Sequence, residues 1–233
     1  MLRLKRSLAV ALLAAAIPAS LPLVSAVTAA EPNAKPYPTP LIYSNSWSLK
    51  FEHSLPKRIV VQLPGEKLPK AYWYITYTVT NKTDREQMWL PTFEFLTEEG
   101  KVIQADGKTI PGKVFDTIKE QEKNQFLEPA TKVAGTLRVG DAEAKESAAI
   151  WEEPEAELGH FSIFVSGLSG EVRQFKKVDG NLVELKTGAD FKEAGNNLVI
   201  LRKTLQLNFF INGDDVYPGQ DVVNEKAEEW VMR

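Results

Sequence analysis

Residues 71–81 read Ala-Tyr-Trp-Tyr-Ile-Thr-Tyr-Thr-Val-Thr-Asn and form the clearest β-strand signal in the chain. The odd positions carry Trp73, Ile75, Tyr77 and Val79, whereas threonines occupy even positions from 76 onward. Because successive side chains of a strand point to opposite faces, this pattern places one apolar row on a single face. The stretch therefore predicts a central strand against which other strands pack.

Further alternating or apolar runs predict about ten more short strands. They cover residues 47–51, 59–63, 88–96, 101–104, 133–139, 148–151, 160–165, 172–177, 182–186 and 198–211. Between them, Val114, Phe115 and Ile118 share a helical spacing, which predicts one short helical insertion within residues 109–124. No strand–helix–strand alternation is visible, so the pattern predicts an all-β fold of two packed antiparallel sheets.

The N-terminal residues are typical of a secretory signal peptide over residues 1–30. Three basic residues precede an apolar run of ten, which is too short to span a bilayer. Cleavage after Ala26 or after Ala30 satisfies the small-residue rule, and the polar composition from residue 31 favours the second; an uncleaved anchor is the alternative. Four prolines within residues 31–42 predict an extended linker.

The C-terminal end is predicted to be a separate tail over residues 213–233, after a β-sandwich over residues 43–212. Val223, Ala227 and Trp230 lie at helical spacing, which predicts a C-terminal helix. Such a helix either docks on the sheets or is displayed to a partner, and docking is the more common fate of a terminal tryptophan.

The amino-acid composition of the chain limits the classes of function that it can have. The 233 residues are 43% hydrophobic and 25% charged, which is ordinary for one globular domain with appendages. Removing residues 1–30 takes away three bases and no acid, leaving 25 basic against 31 acidic residues, so no general attraction for nucleic acid is expected. The chain has no cysteine, which excludes disulfides and thiol catalysis; export without disulfides favours a bacterial envelope, periplasmic or extracellular.

Several turns and strands resemble those of a known group of domains. The run Tyr-Thr-Val-Thr-Asn-Lys-Thr at residues 77–83, followed by a proline-containing strand and Glu-Glu-Gly-Lys at 98–101, resembles immunoglobulin-like domains of uncharacterised secreted bacterial proteins. Residues 161–171 and the Trp-Val-Met-Arg ending at 230–233 are similar to the same group. The resemblance covers a minority of the chain. It implies an immunoglobulin-like β-sandwich in the cell envelope and carries over no catalytic residue.

The sequence contains few residues in patterns that are typical of catalytic sites or transition-metal sites. Ser169 lies in a Gly-Leu-Ser-Gly-Glu run whose second glycine comes one residue too early for a nucleophile elbow, so a turn is the better interpretation. His53 and His160 are the only histidines, and a metal site requires them to converge with carboxylates. An exposed or capping role is expected for His160.

Two acidic clusters fit loops. Four glutamates within residues 152–157 indicate a polar connection between strands. Asp214, Asp215 and Asp221 are candidate calcium ligands because calcium prefers carboxylate and carbonyl oxygens, but their spacing is not that of an EF-hand, and a solvated turn also explains them.

The binding-surface candidates are aromatic. Tyr72 and Tyr74 lie on the face opposite Trp73, where they form either an exposed platform for sugar or peptide or, the favoured alternative, part of a core. Trp230 is the candidate in the tail.

Together these features predict a non-catalytic module without cofactor that has a binding or structural role in the cell envelope. Its partner is expected to be a protein or a glycan, with no nucleic acid and no membrane span after signal cleavage. A calcium-stabilised adhesion module and a carboxylate- or metal-assisted hydrolase are the alternatives.

Overall fold

A computed structural model describes residues 37–44, 46–105, 109–154, 158–186, 194–212 and 222–233. The predicted signal peptide and the first part of the linker lie outside these residues. The described residues contain thirteen strands in antiparallel pairs, which confirms the all-β prediction. Within this described part, no helix combines the length and the apolar character that crossing a membrane requires.

The first sheet has four strands and is built around the predicted central strand. Its strands are β1 (Lys50–His53), β2 (Lys57–Val61), β3 (Lys70–Thr80) and β8 (Lys145–Glu152). Two of them, β1 and β2, follow each other along one edge of β3, and β8 pairs with the other edge. The face of this sheet that carries Trp73 packs against the second sheet and forms the core.

The second sheet has seven strands, with β12 in a central position. Its strands are β5 (Thr92–Thr97), β6 (Val102–Gln104), β9 (His160–Ser166), β10 (Val172–Val178), β11 (Asn181–Glu184), β12 (Leu198–Ile211) and β13 (Val223–Met232). The Asp-Gly pair at 179–180 predicts a tight hairpin turn between two strands. The hairpin between β10 and β11 does turn there, with φ angles of 48° at Asp179 and 82° at Gly180.

A short third sheet pairs β4 (Gln87–Trp89) with β7 (Gly135–Leu137). The sequence predicts one strand from residue 88 to 96, with Pro91 at an edge or a bulge. Instead, Leu90 and Pro91 divide this stretch into β4 and β5, which lie in different sheets. Proline has no N–H to donate to a ladder, so the chain changes sheets there.

The two large sheets face each other across one shared core. Trp73, Ile75, Tyr77 and Val79 are at most 2% exposed, so the predicted inward row is confirmed. Opposite them, β9 and β12 contribute alternate large apolar side chains: Phe161, Ile163, Val165, Leu205, Leu207, Phe209 and Ile211. The ring centroids of Trp73 and Phe161 are 6.0 Å apart, so side chains of the two sheets are in direct contact.

The helix predicted after Pro111 is α1 (Gly112–Glu122), and it covers the outer face of the first sheet. Its residues Val114 and Ile118 are fully buried. The helix ends at Lys123, whose φ of 52° is the left-handed conformation that commonly stops helices. A second helix, α2 (Ala130–Val133), is a single turn beside β8 and was not predicted.

The predicted C-terminal helix is wrong, because residues 223–232 form the strand β13. This strand pairs with β12 from Lys203 to Ile211, so the predicted boundary after residue 212 does not separate it from the second sheet. The final residue is also anchored: Arg233 Nη2 lies 3.0 Å from Glu94 Oε2. Pairing along the free edge of a 14-residue strand outweighs the helical spacing of the apolar residues.

The last part of the predicted linker contacts the second sheet. The backbone N–H of Leu41 donates to Glu171 Oε1 at 2.7 Å, and Arg173 donates to the carbonyl oxygen of Thr39 at 2.6 Å. Residues 39–41 are therefore attached to the fold rather than serving as a spacer.

Candidate functional site

The tyrosines on the outer face of the first sheet are buried beneath α1. Tyr72 and Tyr74 are both 0% exposed and pack with Val114 and Ile118. The Tyr74 hydroxyl donates a 2.6 Å hydrogen bond to Glu122 Oε1. These tyrosines therefore form a second core and no exposed binding platform.

A polar clamp fixes the end of α1 to the first sheet. Lys57 Nζ donates to both carboxylate oxygens of Glu122 at 2.8 Å, and Tyr74 donates to one of them. Burial raises the pKa of the Tyr74 hydroxyl, and the adjacent carboxylate adds to the effect. Burial also acts to raise the pKa of the Glu122 carboxyl, but the hydrogen bonds from Lys57 and Tyr74 outweigh it, and the pKa lies below its ordinary value.

Replacing Glu122 with glutamine is expected to lower the free energy of unfolding by about 1 kcal/mol at neutral pH, because it removes charge-assisted bonds from a partly screened pair. A carboxyl whose pKa is lowered by folding stabilises the fold above its unfolded pKa and loses this effect as the pH falls through its folded pKa. The difference between wild type and Glu122→Gln should therefore be full above pH 4.5 and disappear in more acidic solution.

Urea unfolding at a series of pH values measures this difference. Glu120→Gln is the matched control, since Glu120 is exposed on the same helix. A difference for Glu122→Gln that persists unchanged at the acidic end would show that the clamp does not depend on the carboxylate charge.

The helix α1, which the clamp attaches to the first sheet, forms one wall of an apolar cavity of about 460 Å³. The cavity lies between α1, α2 and the start of β5, beside the edge strand β8. Its walls are mostly apolar: Leu90, Pro91, Phe93, Ala105, Ile110, Phe115, Pro129, Ala130, Ala134, Ala148 and Ile150. This volume and lining are typical of sites for small apolar ligands.

Few polar groups reach this cavity. Among the described residues of its lining, Asp116 is the one charged side chain, and it is exposed at the rim. Tyr77 also lines the cavity, and its buried hydroxyl faces the hydroxyl of Ser147 on β8. Burial raises the pKa of Tyr77 to about 12, and hydrogen bonding with Ser147 acts in the opposite direction, so the Tyr77 hydroxyl is neutral.

A polar groove adjoins the cavity. The two share Phe115, Asp116 and Pro129. Beyond these residues the groove has charged side chains of both signs, with some apolar residues between them: Lys119, Lys132, Lys145, Glu128, Asp141 and Glu146. An apolar space that opens onto a charged groove matches a ligand with one apolar and one polar end.

The remaining predicted site residues are dispersed. Trp230 is half-buried against the shared core, with Lys203 Nζ 4.9 Å from its ring centre, and so it is not a free binding surface. Ser169 follows a bend at residues 167–168 and pairs with Ser48 in an isolated β-bridge, and its hydroxyl donates to the carbonyl oxygen of Trp47. His160 is exposed at the start of β9. The candidate calcium ligands Asp214, Asp215 and Asp221 lie outside the described residues.

Only one of the two histidines lies near carboxylates that offer it metal-ligand geometry in the described part of the chain. His53 meets Glu225 and Glu228, with the three ligand atoms within 4.8 Å of one another. The sequence pattern does not place these glutamates next to His53, and it links His53 only with His160. The cavity also has no signal in the sequence, because its walls come from β3, the start of β5, α1, α2 and β8, which no local pattern brings together.

Comparison with protein-family models, with curated proteins and with solved structures finds no match to this chain. The proposals below therefore depend on the residues and their geometry.

Proposed function

We propose that this chain is a non-catalytic binding module of the bacterial cell envelope, and that the cavity beside α1 and α2 holds the apolar part of an amphiphilic small molecule. The observation that carries the proposal is the apolar cavity of about 460 Å³ next to a charged groove. Apolar walls favour a hydrocarbon group because its transfer from water is favourable in proportion to the area buried.

The module is proposed to be an immunoglobulin-like β-sandwich that is exported to the periplasm or the extracellular space. Two antiparallel sheets with a shared core support the sandwich, and the N-terminal sequence supports export. The non-catalytic role is supported by the mostly apolar lining of the cavity, in which Asp116 is the one charged side chain among the described residues.

Two parts of the cavity suit an amphiphile in different ways. Phe93 and Ile150 line the cavity and are only 5% and 7% exposed, so a hydrocarbon chain that contacts them is removed from water. At the rim, Asp116 and the groove lysines remain in water, where a polar head group keeps its hydration.

A dansyl-labelled fatty acid tests the proposal with the purified protein. We expect its fluorescence to increase and shift to shorter wavelength on binding, and unlabelled dodecanoic acid to displace it. Ala130→Trp and Thr92→Trp fill the cavity from opposite walls and should each weaken binding at least tenfold. Ala227→Trp is the matched control, since Ala227 is exposed on β13, away from the cavity.

Competition with dodecylamine and dodecanol identifies the preferred head group. Displacement by all three compounds would indicate that the apolar chain supplies most of the affinity. Failure of the labelled fatty acid to bind, or equal binding to all three tryptophan variants, would overturn the proposal. Near-ultraviolet circular dichroism of each variant shows whether the fold is retained.

The calcium-stabilised adhesion module stays a prediction, because Asp214, Asp215 and Asp221 lie outside the described residues. Melting with and without a chelator tests it. An unchanged midpoint would remove this alternative.

A further inference from the structure

His53, Glu225 and Glu228 converge at the open side between the two large sheets. His53 ends β1, where its register partner is the inward-facing Tyr77, and its side chain is only 6% exposed. Glu225 and Glu228 come from β13 in the opposite sheet, where they pair with Phe209 and Leu207 of the shared core. The group therefore joins two strands from different sheets.

A β-bulge is the reason that both glutamates face inward. Residues three apart on a regular strand point to opposite faces. The pairing register of β12 and β13 shifts between Asn208 and Phe209 of β12, so Lys226 of β13 has no partner. As a result, Glu225 and Glu228 lie on the same face. Bulges of this kind re-aim side chains and are frequent next to functional sites.

The hydrogen bond on the far side of the ring fixes how His53 meets these glutamates. Nδ1 lies 2.9 Å from the carbonyl oxygen of Ser54, which can only accept, so Nδ1 carries a proton and donates. Metal-binding histidines are commonly oriented by such a bond from their second nitrogen. The other nitrogen, Nε2, is thereby aimed at the two carboxylates.

The arrangement suits a cation. Nε2 is 3.0 Å from Glu228 Oε1 and 3.8 Å from Glu225 Oε1. In the tautomer that carries its proton on Nδ1, Nε2 has a lone pair that points toward the two carboxylates, and a positive ion between the three atoms attracts all of them.

We infer that His53, Glu225 and Glu228 bind a divalent transition-metal ion, for which Zn²⁺ fits the donor set best. Zinc takes imidazole nitrogen and carboxylate oxygen at about 2.0–2.2 Å, which places tetrahedral ligand atoms about 3.3 Å apart. The distances of 3.0 and 3.8 Å bracket this separation. Glu228 is half-exposed, so a fourth ligand can enter from solvent.

The metal site is independent of the proposed amphiphile site, since none of its three residues lines the cavity. An ion held there would connect β1 of the first sheet to β13 of the second. Because it binds the folded chain and not the unfolded one, it should also stabilise the fold.

Calorimetric titration of the tag-free protein with Zn²⁺ is the primary test. The absence of cysteine and the presence of only two histidines keep competing zinc sites few. We expect one ion per chain in wild type. In Glu225→Gln/Glu228→Gln the affinity should fall by more than the about 10–100-fold typical of losing a residue that merely orients a ligand.

Matched variants separate ligation from general charge. Glu229→Gln removes a neighbouring carboxylate of β13, which pairs with Gln206 on the opposite face, and should leave the affinity unchanged. His160→Gln should also bind as wild type, whereas His53→Gln should not. Co²⁺ offers a second measurement, because visible absorption that needs His53 reports an imidazole in its coordination.

Three outcomes would overturn the inference. They are the absence of Zn²⁺ binding to wild type, equal loss in Glu229→Gln and in the double variant, and stabilisation by Ca²⁺ but not by Zn²⁺. The first of these would leave His53 and Glu228 as a hydrogen-bonded pair and no metal site. Far-ultraviolet circular dichroism of the apo variants confirms that each one folds before it is titrated.

Discussion

Replacing Trp73 with alanine is expected to lower the free energy of unfolding by about 3–5 kcal/mol, the range for deleting a large aromatic side chain from a core. Trp73 is 2% exposed, and its ring lies against Phe161 of the opposite sheet. Its register partner on β8 is Trp151, which is also buried. The substitution therefore opens a cavity between the two sheets that neighbouring large rings cannot fill without moving.

Equilibrium urea unfolding followed by circular dichroism measures this loss. Tyr43→Ala is the control, since Tyr43 is a large aromatic residue that is 92% exposed, and its loss should change stability by less than about 0.5 kcal/mol. A similar small effect for Trp73→Ala would mean that the inward row of β3 does not form the shared core.

Replacing Asn81 with alanine is expected to lower the free energy of unfolding by about 2–3 kcal/mol, because it removes four side-chain hydrogen bonds and leaves the buried carbonyl of Leu137 without the bond that Asn81 donates. Asn81 is 0% exposed, and its Nδ2 donates to the carbonyl oxygens of Arg85 and Leu137 at 2.8 and 2.9 Å. Its Oδ1 accepts from the N–H and the hydroxyl of Thr83. One side chain thus connects the end of β3, the following turn and β7.

Asn181→Ala is the matched control, since that asparagine is exposed and its side chain makes one long 3.4 Å bond. Thermal unfolding of both variants compares the loss of a buried, hydrogen-bonded asparagine with the loss of an exposed one. Equal midpoints for Asn81→Ala and wild type would contradict the network. Asparagine at the end of a strand predicts a left-handed backbone, because this residue tolerates positive φ, but among the described non-glycine residues only Lys123 and Asp179 have positive φ. The side chain of Asn81, rather than its backbone, therefore makes the turn.

Periodicity predicts the strands whose inward positions are uniformly apolar. The predicted bounds of β12, residues 198–211, are those of the structure. The strand is recognisable because Leu205, Leu207 and Phe209 alternate with polar residues. The turn at Asp179 and Gly180 was also predicted, since a tight hairpin needs residues that tolerate positive φ. Both features depend on local chemistry that a sequence displays directly.

β13 could not be predicted in the same way, because two of its inward positions are charged. Glu225 and Glu228 face the core side, and the bulge at Lys226 shifts the alternation by one residue. The apolar residues that remain then fall by coincidence at helical spacing. The His53 group was missed for the same reason, since its carboxylates become neighbours only through that bulge.

The cavity is a tertiary feature with no local signal. Its walls come from Leu90 and Pro91 before β5, from Phe115 on α1 and from Pro129 and Ala130 at α2. The position of α1 depends on the clamp between Lys57 and Glu122, whose residues are 65 positions apart. Prolines near the ends of these segments indicate where helices and strands stop. They do not indicate that the segments lie together in the fold.

A crystal structure of the protein grown with dodecanoic acid would show whether the apolar cavity beside α1 and α2 is a ligand site, as we claim. We expect continuous density for the hydrocarbon chain between Phe115 and Pro91, with the carboxylate toward the charged groove. Density for the acid only at another surface, or an empty cavity at a concentration that saturates binding in solution, would contradict the claim.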